Sequence, residues 1–594
     1  MKSLSAGVLA GVLVLSAGCA TPFRDVRTEE TLRRSLVETV RRELAAPARA
    51  PDRTLTQRES SLEAFIRDMN LQTRVRELDA LAGPQSWNFD AEHLPMGEDL
   101  QGQVVRTVGI TLEDAIRLAV QNNLQVQFAR LAPAVNEAQV QQAEAAFDWV
   151  FSASLEAERT RRPTADRGTS PLFLQERTRK EDSITFNSGF RRQLVTGGQF
   201  SVQHRFRYSE LEESGFFSKP NPSHDMDTSL QFDLPLLRGF GSDVTLAEVR
   251  LAKNAEREAI ALLKRDVIRI ALETEREYWR LLQAHRDVLI LKSLLDRGVE
   301  VFGQVRARSG LDADPAQVAS ASARVEERRA NLISAQNLLR RSSDRLKVLI
   351  NDPHLPVSGQ VLLLPLNDAP DAPIVYSIAD AIASAIEHRP EIDQAILSID
   401  DATVRRLVAD NRRLPQLDLR LQTRINALDR RLGGAYEESV DAQFIDFLVG
   451  LFFEQPIGNR SAEALFRQRS LEREQAVLSF KNTVQQVTLE VKNALDNAVT
   501  SYQLIEQRKI ARLAAAETLR VLLTQKRTTG GFTIERLEVE LNRQEGLANA
   551  ERAEVQAMVD YNVSIAELHS AMGLLLERNR IRFVVPDNPG ASRR

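Results

Sequence analysis

Two hydrophobic periods share this chain. In several short stretches apolar and polar residues alternate. Trp149, Phe151, Ala153, Leu155 and Ala157 interleave with Val150, Ser152, Ser154, Glu156 and Glu158. The same period recurs at Ile184, Phe186, Ser188 and Phe190, at Phe200, Val202, His204, Phe206 and Tyr208, and at Leu230, Phe232 and Leu234. It returns at Leu417, Leu419, Leu421, Thr423 and Ile425, followed by a more uniformly apolar run from Ile445 to Phe453. A period of two predicts strands with one apolar and one polar face.

Elsewhere the period lengthens to that of a helix. Residues 243–303 hold no proline, and a stripe runs through Ile260, Leu263, Val267, Ile270, Leu281, Val288, Leu295 and Phe302. About 60 residues at 1.5 Å each predict a helix of roughly 90 Å. In 315–350, Val318, Val325, Leu332, Leu339 and Leu346 fall every seven residues. Sustained heptads predict helices packed side by side, as in coiled coils. Asp314-Pro315 offers a cap and a first helical proline, and Gly310 can end the preceding helix. Runs such as Glu326-Glu327-Arg328-Arg329 read as solvated helix faces. Residues 460–528 and 533–576 repeat the arrangement, with Gly530 at the turn and Thr533 as the cap.

The order of elements repeats as well. Phe232-Asp233-Leu234-Pro235-Leu236 and Phe453-Glu454-Gln455-Pro456-Ile457 each open a long helix, with their prolines 221 residues apart. Gly310 and Gly530 lie 220 apart. The openers Thr111-Leu112-Glu113-Asp114-Ala115-Ile116 and Ser377-Ile378-Ala379-Asp380-Ala381-Ile382 lie 266 apart, so the first half carries about 45 extra residues. The division that follows is 19–110, an extension or tether; 111–350, repeat one, with strands about 149–236 and helices 243–303 and 315–350; and 351–376, a linker. Repeat two spans 377–576, with strands about 416–455 and helices 460–528 and 533–576, and 577–594 is a flexible tail. Within the extension, Thr28 to Ala45 and Leu62 to Leu81 read as helices, with no chemistry evident in either.

Composition narrows function. The 594 residues are 43% hydrophobic and 27% charged, a globular balance. The net charge of −4 is spread along the chain, which argues against a nucleic-acid partner. There is no Gly-rich phosphate loop, the seven histidines lack metal-ligand spacing, and no cofactor is expected. His285 reads as a packing or surface residue. At the N-terminus, Lys2, an apolar run from Leu4 to Leu15 and Ser16-Ala17-Gly18 form a signal peptide over 1–18. Cys19, the only cysteine, resembles the lipid-anchor position of bacterial lipoproteins. That motif usually places Leu three residues earlier, where this chain has Ser16. Ala20 after the cysteine implies outer-membrane sorting.

Alternation alone leaves a soluble sandwich and a membrane barrel both open. Two observations favour the barrel. The strands are few beside helices too long to cover them, and a secreted lipoprotein lies beside a membrane; several segments also reach the roughly 9–11 residues of a barrel strand.

Strand, proline, glycine, long helix, glycine turn and return helix, occurring twice after a lipoprotein signal, resemble the TolC-like outer membrane efflux family. The matching segments are Phe232 to Gly239 at the strand-to-helix junction, Arg306-Ala307-Arg308-Ser309-Gly310 at the first tip, and Lys526 to Ile534 at the second. The resemblance covers about 111–576. It implies a mainly α fold with membrane β: a homotrimer whose strands share one barrel in outer-membrane lipid and whose helices form an α-barrel through the periplasm. It implies a passive exit duct, not an enzyme, joined to a periplasmic adaptor and an inner-membrane pump.

The implied aperture gathers Gly310, Asp312, Asp314, Gly530, Thr533, Glu535, Arg536 and Glu538; the implied junctions are Pro235, Gly239, Pro456 and Gly458. Family members often carry Asp six residues after the tip glycine. Here Ala316 and Arg536 stand there, while Asp312, Asp314, Glu535 and Glu538 lie close enough to replace the charge, so the pattern leaves the ion preference open. The family usually supplies two strands per half. The extra hairpin, 183–208, either enlarges the barrel from twelve strands to eighteen or projects beyond a twelve-stranded one, and projection is the expectation. The alternative function is a periplasmic coiled-coil scaffold or adaptor lipoprotein without a pore, in which the apolar strand faces would be packed away from water.

Overall fold

The structure is a computed structural model that describes residues 61–83, 96, 104–164, 177–213, 219–309, 313–375, 377–528 and 534–584. It is mainly helical with one large sheet, and it divides into two compact units.

The first unit comprises Ala134–Glu258 and Ala395–Ser479 among its described parts. It holds a six-stranded antiparallel sheet of β2 (Val150–Thr164), β3 (Arg177–Gln193), β4 (Gln199–Glu213), β5 (Ser223–Pro235), β7 (Gln416–Asp429) and β8 (Phe444–Glu454). The order is β2-β3-β4-β5-β7-β8, so the strands of both repeats lie in one sheet and meet where β5 pairs with β7.

The extra hairpin departs from expectation. β3 and β4 do not project; they sit between β2 and β5 in register. Leu155 faces Phe186, Phe186 faces Phe206, and Phe206 faces Met226. Phase permits this place and fixes the register: alternation in the inserted strands matches that of their neighbours, and a one-residue slip would turn every side chain to the wrong face. The turn between β3 and β4 is also seated. Thr196 O accepts from Gly241 N at 3.1 Å, and Gly197 adopts φ +96° so close to Gly239 that an added Cβ would lie 2.1 Å from the Gly239 carbonyl oxygen. A short helix, Leu432–Asp441, packs Ala435 onto Met226 and Ala427.

The second unit contains Ala259–Gln394 with the described parts of Val26–Pro133 and Phe480–Arg594. Its first elements are α1 (Ser61–Asp68) and α2 (Val75–Ala82), where the sequence suggested one helix. Asn70, at φ +55°, breaks the run. The next pair is α3 (Leu112–Asn122) and α4 (Leu124–Glu144), the latter continuing through Pro133. The chain then supplies α5 (Ser242–Thr245), α6 (Ala247–Ala307), α7 (Pro315–Ile350), α8 (Ile378–His388), α9 (Pro390–Asn411), α10 (the Leu432–Asp441 helix of the first unit), α11 (Arg460–Thr528), α12 (Ile534–Ala571) and α13 (Leu575–Arg578).

The duplicated openers cap their helices alike. Thr111 Oγ1 accepts from Asp114 N at 3.1 Å, and Ser377 Oγ from Asp380 N at 3.4 Å. The core joins α6 and α7 through Leu281, Val288, Leu332, Leu339 and Leu346, and also includes Val555 and Val559 of α12. Residues 351–376 are more than a linker: β6 (Leu362–Pro365) is buried and pairs in parallel with β1 (Thr107–Ile110). The tail expected to be flexible from 577 starts as packed structure, with Ile581 and Phe583 against the core containing Ile116 and Leu263.

Candidate functional site

The sheet sorts its side chains by face. One face carries Phe151, Leu155, Ile184, Phe186, Phe190, Leu230, Leu421, Ile445, Phe447, Val449, Leu451 and Phe453, all exposed. Phe447 is 77% accessible and Val449 74%. Burying one such side chain is worth roughly 1.5–3 kcal/mol, so leaving twelve in water forgoes on the order of 20 kcal/mol. The nine residues Ile445 to Phe453 extend about 26 Å along the strand, which a tilt of about 40° shortens to roughly 20 Å, close to the lipid-facing band of an outer-membrane barrel.

Aromatic residues mark both ends of this band. Trp149 packs edge-on to Phe200 (6.0 Å between centroids) at one end, and Tyr208 packs on His224 (5.3 Å) at the other. Just beyond Ala157 and Ile184 the face turns charged, where Arg159 and Asp182 make a two-pronged pair at 2.8 Å. The opposite face is mostly polar on β3, β4, β5 and β7, while β8 also exposes Phe444, Leu448 and Phe452 there. Arg420 holds Asp233 at 2.7 Å, Arg207 holds Glu181 at 2.7 Å, and Arg205 pairs with Asp227.

At the strand-to-helix junctions, Gly239 and Gly458 adopt φ +85° and +84°, backbone that favours glycine. Gly239 N donates to Asn411 Oδ1 at 2.7 Å, and Asn459 Nδ2 donates to Arg413 O at 3.0 Å. Pro235 ends β5, while Pro456 and Gly458 belong to the turn before α11.

The helix tips are described in part. Cys19, Gly310, Asp312, Gly530 and Thr533 lie outside the described residues. Asp314 caps α7: its carboxylate accepts from Ala316 N at 3.3 Å, and Gln317 Oε1 accepts from Asp314 N at 3.1 Å. This carboxylate is therefore engaged by its own helix end. Glu535 lies in the first turn of α12. Arg536 and Glu538 are exposed, flanking the buried Leu537. Leu537 and Leu541 join Val301, Val305 and Ala321 in a small core linking α6, α7 and α12. Lys526 of α11 pairs with the buried Glu540 of α12 at 2.7 Å.

Two arginine nodes, read from sequence as surface or not singled out at all, hold the helices together. Arg328 is not on a solvated face. It is buried, donating to Leu294 O at 3.0 Å, Gln544 Oε1 at 3.1 Å and Leu541 O at 2.8 Å. Burial lowers its pKa. Gly298 makes the room: a Cβ there would stand 2.5 Å from Arg328 Nη1.

Arg512, fully buried, pairs with Glu554 and with Asp79 (2.8 Å) and donates to Ala82 O (2.6 Å). Burial works to lower its pKa, and the two carboxylates outweigh this and raise it. Residues 61–83 of the extension, in which the sequence showed no chemistry, are thus docked. Leu71, Leu78 and Ala82 pack on Leu513, Ala516, Leu519 and Leu547, and Leu62 N donates to Glu506 at 3.0 Å. The only advance signal was the amphipathic pattern of 62–81; the partners named here are separated by up to 444 residues.

The chain has the fold of the TolC-like outer-membrane efflux channels. Three solved structures similar to it are the CmeC outer membrane channel of Campylobacter jejuni, the outer membrane protein VceC of Vibrio cholerae, and the open state of the MtrE outer membrane channel of Neisseria gonorrhoeae. Each is 16% identical over 78% of this chain and covers 86%, 96% and 89% of its own length, with TM-scores of 0.53, 0.53 and 0.54. No protein-family model and no curated protein matches the sequence.

Proposed function

We propose that this protein is the outer-membrane exit duct of a tripartite efflux or type I secretion assembly. It works as a homotrimer, anchored through a lipid on Cys19, with its strands in outer-membrane lipid and its helices in the periplasm. A periplasmic adaptor and an inner-membrane pump are its partners, and the pump supplies the energy. The observation that carries this reading is the exposed apolar face of the sheet, bordered by aromatic residues and backed by a polar face. The fold shared with outer-membrane channels supports it. A scaffold without a pore would have to leave those twelve side chains in water.

The chain makes and breaks no bond. Cargo passes when the tips dilate, which requires α6, α7 and α12 to part at Val301, Val305 and Leu537. Arg536 and Glu538, exposed at the start of α12, set the field that an ion meets there.

The test is detergent extraction followed by mass and planar-bilayer measurements. A conducting trimer is expected, and Arg536→Asp should shift the reversal potential in a salt gradient toward cation preference. A water-soluble, non-conducting monomer after removal of the anchor would sink the duct. Conductance with an unmoved reversal potential would remove Arg536 from the constriction.

A further inference from the structure

We propose that the transmembrane section of this duct is an eighteen-stranded barrel, six strands from each of three copies, and that its width suits polymeric or folded cargo. The inference rests on the trimeric reading above and goes beyond it in strand number, seam and width.

Three features make the inserted hairpin part of the wall. Each of its strands is paired on both sides, β3 with β2 and β4, and β4 with β3 and β5. Its side chains keep both faces continuous. Ile184, Phe186, Phe190, Val202 and Phe206 extend the apolar face, while Thr185, Asn187, Gln203 and Arg205 extend the polar one. Its turn is locked at the level of the junction by the Thr196–Gly241 hydrogen bond and the close approach of Gly197 to Gly239. Folded outward, the hairpin would leave its apolar residues in water.

The edges identify the seam. Among the described residues, β2, fifteen residues, and β8, eleven residues, each have one unpaired side. Long apolar edges recruit another strand, and a closed barrel removes them. Because the strand count is even and every pair is antiparallel, β2 and β8 run in opposite directions. Identical copies in a ring can therefore join β8 of one to β2 of the next in the antiparallel ladder used throughout the sheet.

Strands about 4.8 Å apart and tilted about 40° give a wall-to-wall backbone diameter of roughly 36 Å for eighteen strands, against roughly 24 Å for twelve. The polar face lining this lumen mixes acids and bases as neighbouring pairs, among them Arg420–Asp233 and Arg207–Glu181. Acids such as Glu156, Glu158, Asp225, Asp418 and Asp446 outnumber the bases on this face, so the wall leans acidic, while its width sorts little by size.

The test is electron microscopy of the full-length extracted protein in lipid nanodiscs. Eighteen strands around the ring, with a β8–β2 seam, are expected. A conducting trimer with twelve strands and residues 177–213 outside the wall would overturn the inference while leaving the duct standing. The absence of any ring would remove the duct and the inference together. A deletion of 177–213 joins β2 to β5 and keeps the strand count even. Polyethylene glycols added from the barrel side should enter the full-length channel up to a size about 1.5-fold that entering the deletion variant. Equal cut-offs would overturn the proposal. If the variant does not assemble, the strand count of the full-length protein decides alone.

Discussion

The sheet unit exposes its apolar residues, and the helical unit buries its charges. On the sheet, Phe447 and Val449 stand free while arginines and acids pair across the opposite face. In the helical unit, Arg512, Lys347 and Glu554 are at least 98% buried. Each pattern is costly in the surroundings of the other. An apolar face in water forgoes its burial energy, and a buried cation must find partners for each donor. The sheet therefore fits a surrounding that is itself apolar. The helices fit water outside and a core pinned at a few ionic nodes.

The largest expected effect strikes the helical side of this contrast. Arg512→Met strands Glu554 and Asp79, and should cost about 3–5 kcal/mol, read by thermal unfolding. Residues 61–83 should become open to protease in the same variant. Adding Glu554→Leu should recover most of the loss; no recovery would deny the pair its central place.

On the sheet, adjacent residues of β7 point to opposite faces, which gives a paired test. Leu421→Arg should cost about 2–4 kcal/mol, and Gln422→Arg should be close to neutral. The readout is the fraction recovered as folded protein in outer-membrane preparations. Equal effects would dissolve the distinction between the faces.

A pH effect sharpens the helical side. His285 is partly buried with its Nδ1 unpartnered, and burial, aided by Arg286, pushes its pKa down from 6.5 to about 4. The unfolded chain binds a proton that the folded chain refuses. Stability present above pH 6.5 therefore declines as pH falls toward 4, by up to about 3 kcal/mol. His285→Gln should flatten that portion of a melting-temperature profile.

Gly298→Ala should displace Arg328 and cost about 1–3 kcal/mol, measured by chemical denaturation. Combined with Arg328→Ala it should add less than the sum of the two single losses. The smallest change is Asp314→Ala, about 1 kcal/mol, visible as faster amide exchange in the first turn of α7.

What the sequence disclosed follows from how far apart interacting residues lie along it. Strand alternation at Leu417–Ile425 and the Asp314-Pro315 start of α7 are local signals, and both elements stand where those signals are. The tip residues were named from resemblance; of these, Asp314 is described as a cap, and Arg536 and Glu538 as exposed. Arg328 was misplaced because nothing local distinguishes it from Arg329, which is exposed and pairs with Glu326. Its partners on α12 lie 213 and 216 residues away. The hairpin's place was missed for a similar reason. Alternation assigns faces, but the order of strands in a sheet is decided by pairings it does not encode.

The core around Leu339 and Ile350 also contains Ala548, Val555 and Val559. A ribosome delivers those three residues long after Ile350. The first repeat must therefore wait, incomplete, through some two hundred further residues of synthesis. A message truncated before codon 548 would leave it with an open flank and expose it to the cell's proteases.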